Sequence, residues 1–244
     1  MNYRFSKEDH VHTLDNAPLV GTSTVVNIIS KELVWWSSSL ACSVLGWTHE
    51  KKTDAKVRLK TAEVMLKKLK KMDVKRYLAL LDQAYCAHSV VLKEKAESGI
   101  DLHGLLENFV KAKIEGKPCR VEPEIKPFFE WSNENVSYFL ASELHCFSDK
   151  LWTGGICDVV YLDKQDRLWV GDFKSAKDSY FNHFVQVAGY GYQLAENGGY
   201  TPEGKKIFDL PQKVDGYAIF PFGRKGFSMP DTDMRVRELE DAFA

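Results

Sequence analysis

Paired cysteines, long apolar runs and a sizeable net charge are all missing from this chain of 244 residues. Its five cysteines, Cys42, Cys86, Cys119, Cys146 and Cys157, include no Cys-x-x-Cys pair. Their odd number and wide scatter fit buried free thiols in a reducing compartment and argue against a disulfide framework. No apolar run approaches the roughly 20 residues needed to span a bilayer. The first ten residues lack the apolar core of a secretory signal. The expectation is a soluble, cytoplasmic protein without a membrane partner. There is also no Walker A loop, no dinucleotide fingerprint and no internal repeat, so none of those readings is available.

What is present points to a core of some size. Hydrophobic residues make up 44% of the chain, with six tryptophans, which suits one domain with an N-terminal elaboration. The net charge of −1 hides an asymmetry. Residues 50–76 hold eleven Lys or Arg against four acids, a surplus of seven, leaving about −8 elsewhere. Lys67, Lys68, Lys70 and Lys71 are the densest part. Such a surface attracts a polyanion if it lies near a site, and is otherwise a solvated helix face. The acidic remainder argues against general coating of DNA, so any engagement is local.

The most informative stretch reads as one tight β-hairpin. Residues 152–163 and 167–175 form its strands, with Lys164, Gln165 and Asp166 in the polar turn. If Asp163 pairs with Arg167, the register sets Asp158 directly against Asp172. Alternation then puts Asp172 and Lys174 on one face and Phe173 on the other. Two carboxylates facing each other at roughly 5 Å repel, so a cation belongs between them. Mg²⁺ takes hard oxygen ligands and keeps several waters. It polarises a phosphate and lowers the pKa of a bound water, while a neighbouring lysine offsets transition-state charge. The bland alternative is a surface hairpin with scattered charges.

Two further pairs bear on that choice. Gln186 and Tyr190 lie four apart in a helical stretch that stops at Asn197, Gly198 and Gly199. His103 and Glu107 are also four apart, in an apolar-periodic segment with Leu102, Leu105, Leu106 and Phe109. An imidazole there suits a metal ligand backed by a carboxylate, or simply a helix histidine satisfied by a neighbouring acid.

In order along the chain these are Gly-x-x-x-His-x-x-x-Glu, Gly-x-x-Asp at residues 155–158, Asp-x-Lys at 172–174 and Gln-x-x-x-Tyr at 186–190. The series resembles the RecB-like branch of the PD-(D/E)XK nuclease superfamily over about residues 95–220. The resemblance implies that His103, Asp158 and Asp172 are metal ligands, joined by the main-chain carbonyl of Phe173. It makes Lys174 the catalytic lysine beside Asp158 and Asp172, with Gln186 and Tyr190 engaging DNA. Glu143 matches, loosely, an acid the family often carries on the preceding strand, and with Glu107 it would support the ligands. The stretch 21–47 is similar to the opening of phage-type members. Some relatives hold an iron–sulfur cluster through one upstream cysteine and three near the C-terminus. Nothing after Cys157 supplies those three, so no cluster is expected, and Mg²⁺ or Mn²⁺ is.

The implied activity is a metal-dependent DNA exonuclease of phage or cellular recombination and repair, acting on DNA ends or single strands, with a recombination protein as a candidate partner. The alternatives are a structure-specific endonuclease on the same fold and a non-catalytic DNA-end-binding accessory protein. Oligomeric state is not legible.

The remaining expectations concern layout. Residues 1–20 read as an irregular or short-strand lead, and 22–48 and 54–97 as mainly helical. A separate helix over 99–115 is ended by Gly116, Lys117 and Pro118, and Pro123 and Pro127 punctuate the connector. Strands follow at 136–147, in the hairpin and at 214–222, with Arg224 and Lys225 beyond the last placed to touch phosphate. Residues 234–244 read as a helix cut short. The division expected is an N-terminal helical region, 1–97, and a nuclease core, 98–244. The core should be a three-layer, restriction-endonuclease-like α/β fold around a central mixed sheet.

Overall fold

The computed structural model describes residues 1–27, 34–46, 55–176, 178–223 and 226–244. Arg224 and Lys225 lie outside the described residues. In chain order come strands β1 (Tyr3–Ser6), β2 (Val11–Leu14), β3 (Ala17–Pro18) and β4 (Val20–Gly21), then helices α1 (Thr22–Val26), α2 (Val34–Val44), α3 (Ala55–Leu69) and α4 (Val74–Ile114). They are followed by α5 (Lys126–Asn135), β5 (Val136–Ser148), β6 (Thr153–Asp163), β7 (Leu168–Lys174) and α6 (Phe181–Asn197). The chain continues with β8 (Gly199–Tyr200), β9 (Lys206–Phe208), β10 (Gly216–Gly223), β11 (Gly226–Phe227), β12 (Asp231–Asp233) and α7 (Val236–Phe243).

The residues fall into two compact units, Met1–Ser30 with Gly99–Ala244, and Lys31–Ser98. The first is built on a mixed sheet whose strands run β11-β10-β7-β6-β5-β8-β9, with β12 beside β10 and β4 beside β6. The β5–β6 and β6–β7 pairs are antiparallel and β7–β10 is parallel. Apolar side chains cover both sheet faces. On one, Val160, Leu168, Val170 and Ile219 pack with Val187 and Leu194 of α6 and Leu239 and Phe243 of α7. On the other, Val159, Tyr161, Phe173 and Phe220 meet Leu106 and Phe109 of α4 and Phe128 of α5. This is a mixed α/β architecture with helices on both faces of a central mixed sheet.

The hairpin has the expected register. Val159 pairs with Gly171 and Leu162 with Leu168, and the Asp163 amide donates to the Arg167 carbonyl at 3.0 Å. The Asp163 carboxylate fixes the turn by accepting from the Gln165 and Arg167 amides, at 2.8 and 3.0 Å, and from Trp169 Nε1 at 2.8 Å. A side chain that satisfies several turn donors leaves little freedom for the strands to slip.

Two expectations are corrected. Residues 99–115 are not a separate helix but the last part of α4, which passes through Ser98 and Gly99 without a break. A single glycine costs only about 1 kcal/mol in a helix, less than the Leu106, Phe109 and Val110 packing that follows it contributes. Residues 1–30 cluster with the core rather than with the N-terminal helices. There β4 adds in parallel to β6 (Val20 with Thr153, Gly21 with Gly154), and Tyr3 stacks on Phe147 with ring centroids 5.0 Å apart. The lead is thus ordered strand, β1 and β2 pairing from Tyr3–Leu14 to Ser6–Val11.

The second unit is helical. Gly46, at φ 79°, ends the α2 segment, and a Cβ there would come within 2.7 Å of Met65 of α3. Lys67, Lys68, Lys70 and Lys71 are all exposed, at and just after the end of α3. Among the described residues no helix is long and apolar enough to cross a membrane.

Candidate metal centre

The centre forms where strand alternation breaks. In β6, Cys157 and Val160 face one core and Val159 and Tyr161 the other, so the side-chain phase changes at Asp158. In β5, Ala141 shares a face with Leu144 and Cys146, and between them Glu143 takes φ 51°. A register shift lies just upstream, between Phe139 and Ala141. Positive φ is uncommon for a side chain such as glutamate, and irregular strand residues recur where a side chain is re-aimed into a site.

The same irregularity lines up three acids. Ser142 pairs with Val159 and Leu144 with Cys157, which sets Glu143 opposite Asp158. The β6–β7 ladder runs to the Val159–Gly171 pair, and the next position sets Asp158 against Asp172. Here the Asp158 side chain replaces the ladder: its Oδ2 accepts the Phe173 amide at 2.7 Å. Asp158 and Asp172 are both buried, and Asp172 is only 3% exposed. The Lys174 ammonium sits 2.7 Å from Asp172 Oδ2, at an angle that leaves this buried oxygen without a directed hydrogen bond.

His103 reaches the acids from α4. Its Nδ1 is 3.7 Å from Asp158 Oδ2, too far for a hydrogen bond but suited to two ligands of one ion. Single ligand atoms of His103, Glu143 and Asp158 all lie within 4.8 Å of one another. The Phe173 ring also stands edge-on to the His103 ring, with centroids 6.2 Å apart.

The electrostatics follow from burial and crowding. Burial, then Asp172 and Glu143, hold the Asp158 carboxyl well above the usual range, against the opposing pull of the Phe173 amide and Lys174. Glu143 is pushed up to about 7, by burial first, then by Glu107 and Asp172, with Lys111 opposing. Burial lowers His103, which keeps its imidazole neutral and its lone pair available. Three acids, one ammonium and a neutral imidazole sum to −2 when ionised. A divalent cation would offset that charge and reverse the mutual repulsion, so the His–Glu–Asp triad can hold a metal ion.

The α6 helix closes the other side. Lys174 donates to Gln186 Oε1 at 3.0 Å, and Gln186 Nε2 donates to the Tyr190 hydroxyl at 2.6 Å. The Tyr190 ring is buried against Gly155. A Cβ on that glycine would fall 2.5 Å from the ring and 2.8 Å from Thr22 Oγ1, which explains the glycine three residues before Asp158. Burial, then Asp172 and Asp158, raise the Tyr190 hydroxyl pKa and keep it neutral.

The structure therefore brings together His103, Glu143, Asp158, Asp172, Phe173, Lys174, Gln186 and Tyr190. Glu143, expected in support, stands within the triad, while Asp172 pairs with Lys174 beside it. Glu107 supports from one turn along α4, ion-paired to Lys111 and acting on both Glu143 and His103. Gln186 and Tyr190 are engaged by Lys174 and by each other.

The sequence reading missed Thr22 and Gln193. Gln193 Nε2 donates to Thr22 Oγ1 at 2.8 Å and to Thr153 Oγ1 at 2.9 Å, and Thr22 Oγ1 donates to the Gly154 carbonyl at 3.1 Å. Gln193 was findable, three residues after Tyr190 and seven after Gln186 on one helix face. Thr22, 132 residues from Gly154, carried no local signal. No protein-family model matches the chain, and comparison with curated proteins gives no match.

Proposed function

We propose that this chain is a divalent-metal-dependent deoxyribonuclease of the RecB-like PD-(D/E)XK type, with a restriction-endonuclease-like core, acting as an exonuclease in DNA recombination or repair. One observation carries the reading: three acids, half-buried Glu143 and buried Asp158 and Asp172, stand in a row across adjacent strands and end on Lys174. A purely structural cluster gains nothing from crowding carboxylates that raise one another's pKa.

His103, Glu143 and Asp158 would hold Mg²⁺ or Mn²⁺, with Asp172 and the Phe173 carbonyl adjacent. The ion supplies a Lewis acid for the scissile phosphate and acidity for the attacking water. The chain contributes the rest. The Phe173 amide holds Asp158 in one orientation. Asp172 and Gln186 grip the Lys174 ammonium from two sides, so its charge is pre-set where negative charge develops on the phosphate. Such preorganised charge avoids reorganisation during reaction. Tyr190, wedged on Gly155, fixes Gln186 in turn.

End-labelled linear DNA and closed circular DNA, each incubated with Mg²⁺, test the reading. An exonuclease shortens the linear substrate and spares the circle. Nicking of the circle points to an endonuclease on the same site, and retarded but uncut DNA overturns the enzymatic reading.

A further inference from the structure

Beyond Gln186 and Tyr190, the polar stripe of α6 has one more member. His183, Gln186, Tyr190 and Gln193 are spaced i, i+3, i+7 and i+10, one face of a helix. Burial along the stripe is graded: Gln193 and Tyr190 are buried, whereas Gln186 and His183 are half-buried. With Gln186 and Tyr190 already committed to Lys174 and to each other, His183 is the stripe's group nearest to open solvent.

Its ring is held in one useful state. The Tyr180 amide donates to His183 Nδ1 at 3.3 Å as the helix caps itself. A backbone N–H can only donate, so Nδ1 accepts and the neutral ring carries its proton on Nε2. The Tyr180 ring stands edge-on at 5.4 Å and limits rotation of the imidazole. Burial lowers the His183 pKa, and the charges acting on the ring are Lys174, which also lowers it, and Asp172, which raises it. Nε2 has no hydrogen-bond partner among the described residues. A fixed N–H donor within the field of an active-site ammonium, free of the metal-ligand cluster, is the pairing that receives an anionic oxygen.

We propose that His183 is a substrate-contacting residue whose Nε2–H donates to a non-bridging phosphate oxygen of the DNA strand entering beside Lys174. The inference rests on the nuclease reading and adds to it the group by which α6 meets the backbone. His183 then sets where the strand lies, and Lys174 acts on the phosphate undergoing hydrolysis.

The test is single-turnover hydrolysis of a short oligonucleotide in Mn²⁺ by the wild type, His183→Ala and His183→Gln. The Gln amide keeps an N–H near the position of Nε2. A methylphosphonate, which lacks the charged oxygen, is moved through the strand one linkage at a time. His183→Ala is expected to slow hydrolysis on the order of 10- to 100-fold, the range for losing one donor to a charged oxygen, and His183→Gln to recover most of it. At one linkage the methylphosphonate should slow the wild type comparably yet leave His183→Ala no slower than before, a coupling that a merely structural histidine would not show. A wild type that cleaves normally alongside an unimpaired His183→Ala overturns this inference alone. So does a methylphosphonate effect equal in both proteins at every linkage. A wild type that cleaves nothing with metal present overturns the nuclease reading and this inference with it.

Discussion

Glu143→Gln in metal-free buffer measures what it costs to ionise Glu143 in the centre, through burial first and then through the neighbouring acids. The substitution keeps shape and removes one charge. In the folded protein the Glu143 carboxyl is raised from 4.5 to about 7, so ionising it costs about 3 kcal/mol relative to the unfolded chain, at about 1.4 kcal/mol per pH unit. The sign follows from proton counting. Between pH 4.5 and about 7 the folded state binds more protons at this site than the unfolded state, so stability falls as pH rises through that window. Below it both carboxyls are neutral and the difference vanishes. The buried histidines pull the other way: His12, lowered to about 3, and His145, lowered to about 4, lose stability as pH falls below about 6.5. That contribution is common to both proteins and cancels in their difference. Urea unfolding followed by tryptophan fluorescence, in EDTA, should find Glu143→Gln equal to the wild type near pH 4 and more stable by about 3 kcal/mol at pH 8. Saturating Mn²⁺ at pH 8 should reverse the order, because the variant has lost a ligand and with it part of the binding free energy. A variant no more stable than the wild type at pH 8 in EDTA would refute the claim that burial and the neighbouring acids make the charged Glu143 costly.

Other perturbations separate the parts of the site. Lys174→Ala and Asp172→Ala should each lower single-turnover cleavage by on the order of 10²- to 10³-fold or more while leaving the urea midpoint within a small shift; near wild-type turnover in either would remove the hairpin from the chemistry. Gly155→Ala drives a methyl into the Tyr190 ring and Thr22, and should cost about 1–3 kcal/mol in urea unfolding and slow cleavage through loss of the Gln186–Lys174 contact. Neutralising Lys67, Lys68, Lys70 and Lys71 should reduce the slope of log K against log salt by about 0.9 for each duplex phosphate contact, or about 0.7 for single strands. An unchanged slope in filter binding at low salt makes that face a solvated one.

Most of the hairpin was legible because its signals are local. Asp163 and Arg167 fix the register across a three-residue turn, and counting along that register carries Asp158 to Asp172. The α6 pair was legible for the same reason, since helical spacing alone puts Gln186 and Tyr190 on one face, and the same spacing, carried one step further, would have added Gln193. Glu143 was only loosely placed. Its entry into the triad depends on a positive φ and a slipped strand phase, and neither changes the residue pattern that a strand presents. Thr22 joins the site through tertiary pairing of β4 with β6, which no nearby residue encodes. The Ser98–Gly99 boundary misled because glycine's helix penalty is small beside the packing of the helix it interrupts.

Hydrolysis of a labelled oligonucleotide by EDTA-stripped protein, before and after Mn²⁺ is added, bears most directly on the centre. The account predicts no cleavage in EDTA, cleavage on adding Mn²⁺, and none at the same Mn²⁺ concentration with Asp158→Asn, whose side chain can no longer hold the cation as an anion. Cleavage undiminished in EDTA, or an Asp158→Asn protein that cleaves as the wild type does, would contradict it.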